Sequence, residues 1–409
     1  MRIAEPLTLP CGSTLSNRLA KSSMSEGLAD RSGQPGPALN TLYAIWARGG
    51  AGLLISGNVM IDPEALGEPG QVIARDRSVL PALAAWAAQV HEVPGPQLWM
   101  QINHPGNQAI LPLAKRPVSA SDRGLPLPLV SLRRSRPLST AQVRDLARQF
   151  ADTAALAIEA GWDGVQIHAA HGYLLSQFLS PKTNDRDDEY GGSADARRKV
   201  LLDTVIAVRE RIGSTVPISV KLNSADFAYG GLDEAESLDV AVALAEAGID
   251  LLEISGGGAE DLANMLGPKA GERPLNAHEA FFLPYAEKLK QRTNVPVMLT
   301  GGLRSRDAME RIIAEGTVDI IGMARPMAVY TDYPARLLAG GPPPSIAQTR
   351  HLPVRTLDGL AQLMMHSNQF HRIARGLRPL PRPGFVSATR AATRAGVKVV
   401  ATEIYNRRR

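Results

Sequence analysis

Glu159-Ala-Gly-Trp-Asp-Gly-Val-Gln-Ile-His-Ala-Ala-His-Gly-Tyr173 holds one complete unit of the fold. It opens on the end of a helix, closes that helix at Gly161 and turns. It then runs Gly164-Val-Gln-Ile167 as a strand and arrives at two histidines and a tyrosine. A glycine just past a helix takes the left-handed conformation that ends it. The phrase returns as Glu246-Ala-Gly-Ile-Asp250 and as Glu315-Gly-Thr-Val-Asp319. This is a rhythm of strand–helix units, not a solenoid repeat.

Outward from that stretch the same alternation covers most of the chain. Strands are expected at Asn17–Ser22, Ala51–Ile55, Gln97–Gln101, Gly164–Ile167, Pro217–Lys221, Asp250–Ile254, Pro296–Thr300 and Val318–Gly322. Helices are expected at Leu80–His91, Thr140–Ala160, Ala194–Ile212, Glu234–Ala247, Glu279–Arg292 and Asp307–Ala314. Short apolar runs separated by amphipathic helices specify a parallel sheet covered on its outer face. A count of eight favours closure, so the expected fold is α/β, a (β/α)8 TIM barrel over residues 1–340. A long loop excursion, Ile110–Pro137, follows the third strand. Residues 341–409 read as a C-terminal helical and basic extension, not an independent domain. In it Leu357–Ala374 is helical, and a Pro/Arg-rich linker and a short basic end follow.

Composition narrows the setting. The chain has 409 residues, 44% of them hydrophobic and 21% charged, as in ordinary globular proteins. Its single cysteine, Cys11, excludes an intrachain disulfide and a four-cysteine metal or iron–sulfur site. No window supplies the ~20 apolar residues of a membrane span, and the N-terminus lacks a signal-peptide core, so a cytoplasmic protein is expected. The formal charge of +5 is partly local, in Arg133, Arg134 and Arg136 and in Arg407–Arg409. No nucleic-acid-binding motif accompanies it, which leaves solvated surface or contact with an anionic ligand. The expected partner is a small-molecule substrate.

A barrel builds its active site just past the C-terminal ends of its strands. There the sequence places Ser22-Ser-Met-Ser25, Ser56-Gly-Asn58, Gln101, His168 to Tyr173, Lys221, Ser255-Gly-Gly-Gly258, Thr300-Gly-Gly302 and Gly322-Met-Ala-Arg325. His168 and His171 follow a strand, with no glutamate between them and no cysteine nearby, which disfavours a metal pair. Two structural histidines, or two donors polarising a carbonyl beside a tyrosine proton donor, both remain open. Gly301 and Gly302 ahead of a helix, with Ala324 and Arg325 on the next strand end, suit a phosphate. Lys221 reads as a salt-bridged barrel lysine, a Schiff-base lysine or a cation facing a delocalised anion. Gln101 can meet a heterocycle edge. Ser23, Ser25 and Asn58, taken singly, read as turn or cap residues.

These residues together resemble the Old Yellow Enzyme family over about residues 1–340. The resemblance is carried by Leu15-Ser-Asn-Arg18 with Ser22-Ser-Met24, by Gly164 through Pro181, and by Asn184-Asp-Arg-Asp-Asp-Glu-Tyr-Gly-Gly-Ser193. It implies FMN as cofactor and NADH or NADPH as transient reductant. It puts Ser23, Met24, Ser25 and Asn58 against the flavin ring, Gln101 on its pyrimidine edge and Lys221 near N1/O2. Gly301, Gly302, Ala324 and Arg325 would hold the phosphate. His168 and His171 would bind a carbonyl, and Tyr173 would protonate the carbon next to it as an activated alkene takes a hydride. The chain departs from the family pattern at Ser23, Asn58, Lys221 and Ala324, which bears on flavin potential and acceptor preference. Nitro, quinone, other xenobiotic or dienoyl-CoA-like acceptors are the alternative, and a non-flavin Schiff-base aldolase is a distant one. The family tendency implies a homodimer or homotetramer.

Overall fold

The chain closes into a barrel in a computed structural model that describes residues 1–110, 113–114, 117–122, 135–256, 280–341, 355–382 and 384–407. An antiparallel hairpin, β1 (Leu7–Thr8) and β2 (Thr14–Leu15), precedes the first barrel strand, β3 (Leu19–Lys21). Helix α1 (Pro37–Ala47) leads to β4 (Leu53–Ile55), and a two-strand annex, β5 (Val59–Met60) and β6 (Val72–Ile73), follows. Then come α2 (Leu80–His91), β7 (Gln97–Asn103), the short pair β8 (Val118–Ser119) and β9 (Arg136–Pro137), α3 (Thr140–Glu159) and β10 (Gly164–Ala169). Helices α4 (Leu174–Leu179) and α5 (Ala194–Ile212) lead to β11 (Ile218–Asn223), α6 (Glu234–Glu246) and β12 (Leu251–Ser255). The barrel finishes with α7 (Leu283–Lys290), β13 (Val297–Thr300), α8 (Arg306–Ala314) and β14 (Ile320–Met323). Short helices α9 (Arg325–Val329) and α10 (Tyr333–Leu338) precede the C-terminal pair α11 (Arg355–Ile373) and α12 (Phe385–Arg407).

The parallel order β10-β11-β12-β13-β14-β3-β4-β7 is closed by pairing of β7 with β10. All eight expected strands are present. The helix closures also follow the sequence: Gly161, Gly248 and Gly316 have φ of 86°, 84° and 73°. Three local readings are corrected. Helix α1 was not expected, because Pro37-Ala-Leu-Asn-Thr-Leu-Tyr-Ala-Ile-Trp-Ala47 lacks a polar face: most of it is buried between the barrel and the C-terminal pair. Residues 385–407, expected as linker and basic end, form a 23-residue helix. Its alanines and spaced arginines are good helix formers, and the prolines that suggested a linker all precede it. The expected helix Glu279–Arg292 begins at Leu283, and Glu279 lies outside the described residues.

Two apolar regions hold the barrel. The larger lies between strands and helices and includes Trp46, Trp86, Phe150, Val165, Ile167 and Val220. The smaller fills the N-terminal end of the bore with Ala20, Leu53, Ile55, Trp99, Leu251, Met298 and Ile320, and the N-terminal hairpin plugs it from below with Leu9 and Leu15. Residues alternate along each strand, so the same strands carry polar side chains into the bore two positions further on.

Candidate functional site

Strand β10 and its exit carry the histidines and the tyrosine. His168 pairs in register with Lys221, and Lys221 with Glu253 on the next strand. The rings of His168 and His171 meet edge to face at 5.0 Å, and those of His168 and Tyr173 at 4.9 Å. His168 Nδ1 accepts the Ala170 N–H at 3.2 Å, so in the neutral ring the proton sits on Nε2. His171 adopts φ 61°, a left-handed conformation that is strained for a residue with a Cβ. Its N–H is held by Asn223 Oδ1 at 3.1 Å, and its Nε2 lies 2.7 Å from Ser255 Oγ. Burial, with Lys221 nearby, keeps both imidazoles well below the usual histidine range, so each is neutral with one N–H to give. Burial and the Glu68 carboxyl raise the Tyr173 phenol, which keeps its proton.

A ring of side-chain hydrogen bonds crosses the bore below them. Ser23 Oγ donates to Gln101 Oε1 at 2.6 Å, and Gln101 Nε2 donates to Gln166 Oε1 at 2.7 Å. Gln166 Nε2 reaches Glu253 Oε2 at 2.8 Å, and Thr300 Oγ1 reaches Glu253 Oε1 at 2.7 Å. Ser22 Oγ lies 2.8 Å from Thr300 Oγ1, and Lys221 Nζ lies 3.0 Å from Glu253 Oε1. A buried charge persists where an opposite charge and hydrogen bonds compensate it. Lys221 therefore has its partner in Glu253. Glu253 and Gln166 were not singled out from sequence, and Thr300 was named there only as the start of the glycine turn. The signal available was a glutamate inside the apolar run Leu251-Leu-Glu-Ile254.

The segment Ser23–Ser25 is braced from outside the bore. Lys21 is fully buried between barrel and α1, donating to Ile55 O at 2.6 Å and Tyr43 Oη at 2.9 Å, with Nζ 4.6 Å from the Trp46 ring centroid. Burial brings its amine down to about 8. Tyr43 donates to Glu26 Oε1, which also accepts the Gly57 N–H at 2.8 Å. A Cβ at Gly57 would strike Glu26 Oε2 at 2.1 Å and Met24 O at 2.4 Å, so only glycine allows this approach. The contact brings the first two strand ends together, and Asn58 Nδ2 donates to Ser25 Oγ at 3.2 Å. Asn103 Nδ2 donates to Asn58 Oδ1 at 3.1 Å, while Asn103 Oδ1 is buried without a partner. Lys21, Glu26 and Tyr43 were missed in the sequence, and Asn103 was placed at the end of its strand without a role.

Past the end of β13, Gly301 and Gly302 have φ of 143° and 81°, conformations that favour glycine. Arg325, the first residue of α9, is brought down to about 10 by burial and by the nearby Arg304. Two neighbouring cations at the ends of adjacent strands suit a dianion. Helix α11 packs on α9, and the His366 imidazole within it is lowered to about 4 by burial, with Arg325 nearby. From α12, Lys398 Nζ donates to Gly27 O at 2.6 Å and Ala29 O at 3.1 Å.

The structure thus gathers His168, His171 and Tyr173 at one corner and pairs Ser23 with Gln101 and Ser25 with Asn58 by hydrogen bonds. Lys221 stands beside His168. Gly301, Gly302, Ala324 and Arg325 lie on the adjacent ends of β13 and β14. Of the stretches that carry the family resemblance, Asn184–Ser193 has a structural part. Asn184 Nδ2 donates to Phe178 O and Tyr190 O, both at 2.7 Å, and Arg186 Nη1 donates to Ala120 O at 2.9 Å and Leu138 O at 2.6 Å. Gly257 and Gly258 lie outside the described residues, as do Arg133, Arg134, Arg408 and Arg409.

Residues 2–342 match the model of the NADH:flavin oxidoreductase / NADH oxidase family. The chain is 36% identical to the NADH-dependent flavin oxidoreductase iliE of Hypocrea jecorina, over 79% of this chain and 86% of that protein. It is 32% identical to an NADH oxidase of Thermoanaerobacter brockii, over 79% of this chain but only 49% of that longer protein. Among solved structures, an old yellow enzyme homologue from Zymomonas mobilis superposes with a TM-score of 0.72 at 24% identity, covering 85% of this chain and 95% of that one.

Proposed function

We propose, from the premise that the chain belongs to the NADH:flavin oxidoreductase / NADH oxidase family, the Old Yellow Enzyme family, that it reduces activated alkenes conjugated to a carbonyl. It is an NADH-dependent flavin oxidoreductase with FMN as cofactor. The donor set fits that group. Gly301, Gly302, Ala324, Arg325 and Arg304 would hold the phosphate, Gln101 and Lys221 the pyrimidine side, and Ser23 to Ser25 with Asn58 the ring. FMN, when bound, supplies the hydride.

One observation carries the reading: two neutral imidazoles and a protonated phenol share one corner, with ring centroids about 5 Å apart. Neutral imidazoles donate hydrogen bonds to a carbonyl oxygen without competing for its proton. His168 offers Nε2–H, and the Ser255 hydroxyl fixes the ring of His171. As negative charge grows on the oxygen, each aimed donor contributes about 3–4 kcal/mol. Tyr173, the neighbour of His168, holds the proton for the carbon next to the carbonyl.

Anaerobic titration of the purified yellow protein with NADH and then NADPH, followed by reoxidation with enones, maleimides, nitro compounds and quinones, tests it. The expected result is bleaching by NADH and fast reoxidation by an enone. A chromophore that enones leave reduced, while quinones reoxidise it, would replace the alkene reading with a quinone or xenobiotic one.

A further inference from the structure

Lys21 and Glu26 are two opposite charges, both buried, and in the chain they bracket Ser22–Ser25. Lys21 Nζ donates to Ile55 O at 2.6 Å and to Tyr43 Oη at 2.9 Å. Tyr43 Oη donates in turn to Glu26 Oε1, which also accepts the Gly57 N–H at 2.8 Å. Ile55 and Gly57 bracket Ser56 on the neighbouring strand end, and Ser56 Oγ accepts the Gln101 N–H at 2.9 Å. An ammonium, a phenol and a carboxylate thus hold the backbones of two adjacent strand ends from outside the bore. Inside it lies a second pair of opposite charges, Lys221 and Glu253, 3.0 Å apart. Stability alone does not account for the outer pair, because apolar side chains of similar volume often serve a buried position as well as opposite charges do. A buried pair supplies something that apolar packing lacks, a field that appears when either member is removed. Across about 10 Å at an effective dielectric of about 20, one bare charge is worth about tenfold in an equilibrium constant.

We propose, on the ring placement given above, that Lys21 and Glu26 set the reduction potential of the flavin as a compensated charge pair behind the wall of Ser23–Ser25 and Asn58. Two-electron reduction leaves negative charge on the ring system. A positive charge behind the wall favours that change and a negative one opposes it. With both present the two largely cancel, and the ring meets the wall's hydroxyls and amide without a net charge behind them. Without the ammonium, Glu26 stands bare and reduction becomes harder. Without the carboxylate, Lys21 stands bare and reduction becomes easier. Tyr43 is a positioning residue here: it spaces the two charges and carries none itself, since burial and Glu26 hold its phenol well above the usual tyrosine range. The charged and titratable groups that face Lys21 are Tyr43 on α1, Glu26 beyond β3, Lys221 on β11 and Glu253 on β12.

The test reads the flavin midpoint potential of the holoenzyme, anaerobically and near neutral pH, against a dye of known potential. Lys21→Met should make reduction harder and Glu26→Gln should make it easier. Each shift should be about tenfold in the equilibrium constant, which for two electrons is about 30 mV. Tyr43→Phe cuts both hydrogen bonds but leaves both charges, and should move the potential much less. Shifts of the same sign in the two charge variants, a Tyr43→Phe shift as large as theirs, or no shift at all overturns the proposal. Where a single variant does not fold, the double variant Lys21→Met/Glu26→Gln, which bares neither charge, takes its place. Its potential should match that of the native protein near neutral pH. The native Lys21 amine titrates at about 8, so above that pH the native potential should drop below that of the double variant. A difference between the two that does not change with pH overturns the proposal. Ser25→Leu crowds the ring and should weaken FMN binding by about tenfold or more. An unchanged FMN dissociation constant in that variant would remove the ring placement instead.

Discussion

At the N-terminal end of the bore, Trp99, Leu251, Met298 and Ala20 pack together; two residues further along the same strands stand Gln101, Glu253, Thr300 and Ser22. The step of two keeps each pair on one face of its strand. One end is sealed by area burial, which needs only shape and tolerates exchange among apolar residues. The other end is a connected run of donors and acceptors, where each member depends on its neighbours. The contrast shows how one fold can be a rigid plug below and a charged platform above. It also fixes what should happen when either end is disturbed.

The largest effect is expected where the polar end loses a charge. Glu253→Leu leaves Lys221 buried without its partner, and unfolding in urea should show a loss of about 3–5 kcal/mol. Leu251→Ala, two residues below, should lower stability by about 2–5 kcal/mol but leave the FMN dissociation constant unchanged. A Leu251→Ala protein that loses FMN would show that the two ends are not separable. Next comes His168→Leu, expected to lower enone-dependent reoxidation by about 100- to 1000-fold in stopped flow. Reoxidation by a quinone, which is electrophilic without a donor on its oxygen, should fall much less.

Lys21 extends the contrast to the outer face of the barrel. Its amine titrates near 8 in the folded chain, against 10.5 for an exposed lysine. Below pH 8 both states carry the proton, so the burial penalty is complete. Between 8 and 10.5 the unfolded chain holds a proton that the folded chain has released, and stability from this group rises with pH. Any advantage of Lys21→Met over the native chain should therefore shrink from pH 8 to 10.5, by roughly 3 kcal/mol at about 1.4 kcal/mol per unit. Parallel unfolding curves at four pH values would reveal it, and a constant difference would refute the burial assignment. The smallest effect is expected at the phosphate corner: Arg325→Leu should weaken FMN by about 1.5–3 kcal/mol in equilibrium dialysis and leave riboflavin binding nearly unchanged.

Much of this was legible in the sequence because the signals were periodic or local. Eight apolar runs, the helix-ending Gly161, Gly248 and Gly316, and polar residues just beyond strand ends could be read one stretch at a time. What escaped depends on who sits opposite. Glu253 looks like a lone charge in a strand until β11 brings Lys221 beside it. Lys21 looks like an interruption of an apolar strand until α1 supplies Tyr43 and Trp46. Helix α1 was invisible because burial on several sides erased its amphipathic stripe.

Tyr173→Phe is the most direct test of the upper end as a site that delivers a proton to carbon. After reduction by NADH, the variant and the native protein should be reoxidised at similar rates by a quinone. Reoxidation by 2-cyclohexenone should be about 100-fold or more slower in the variant. Equal enone rates in the two proteins would contradict the assignment of Tyr173 as the proton donor.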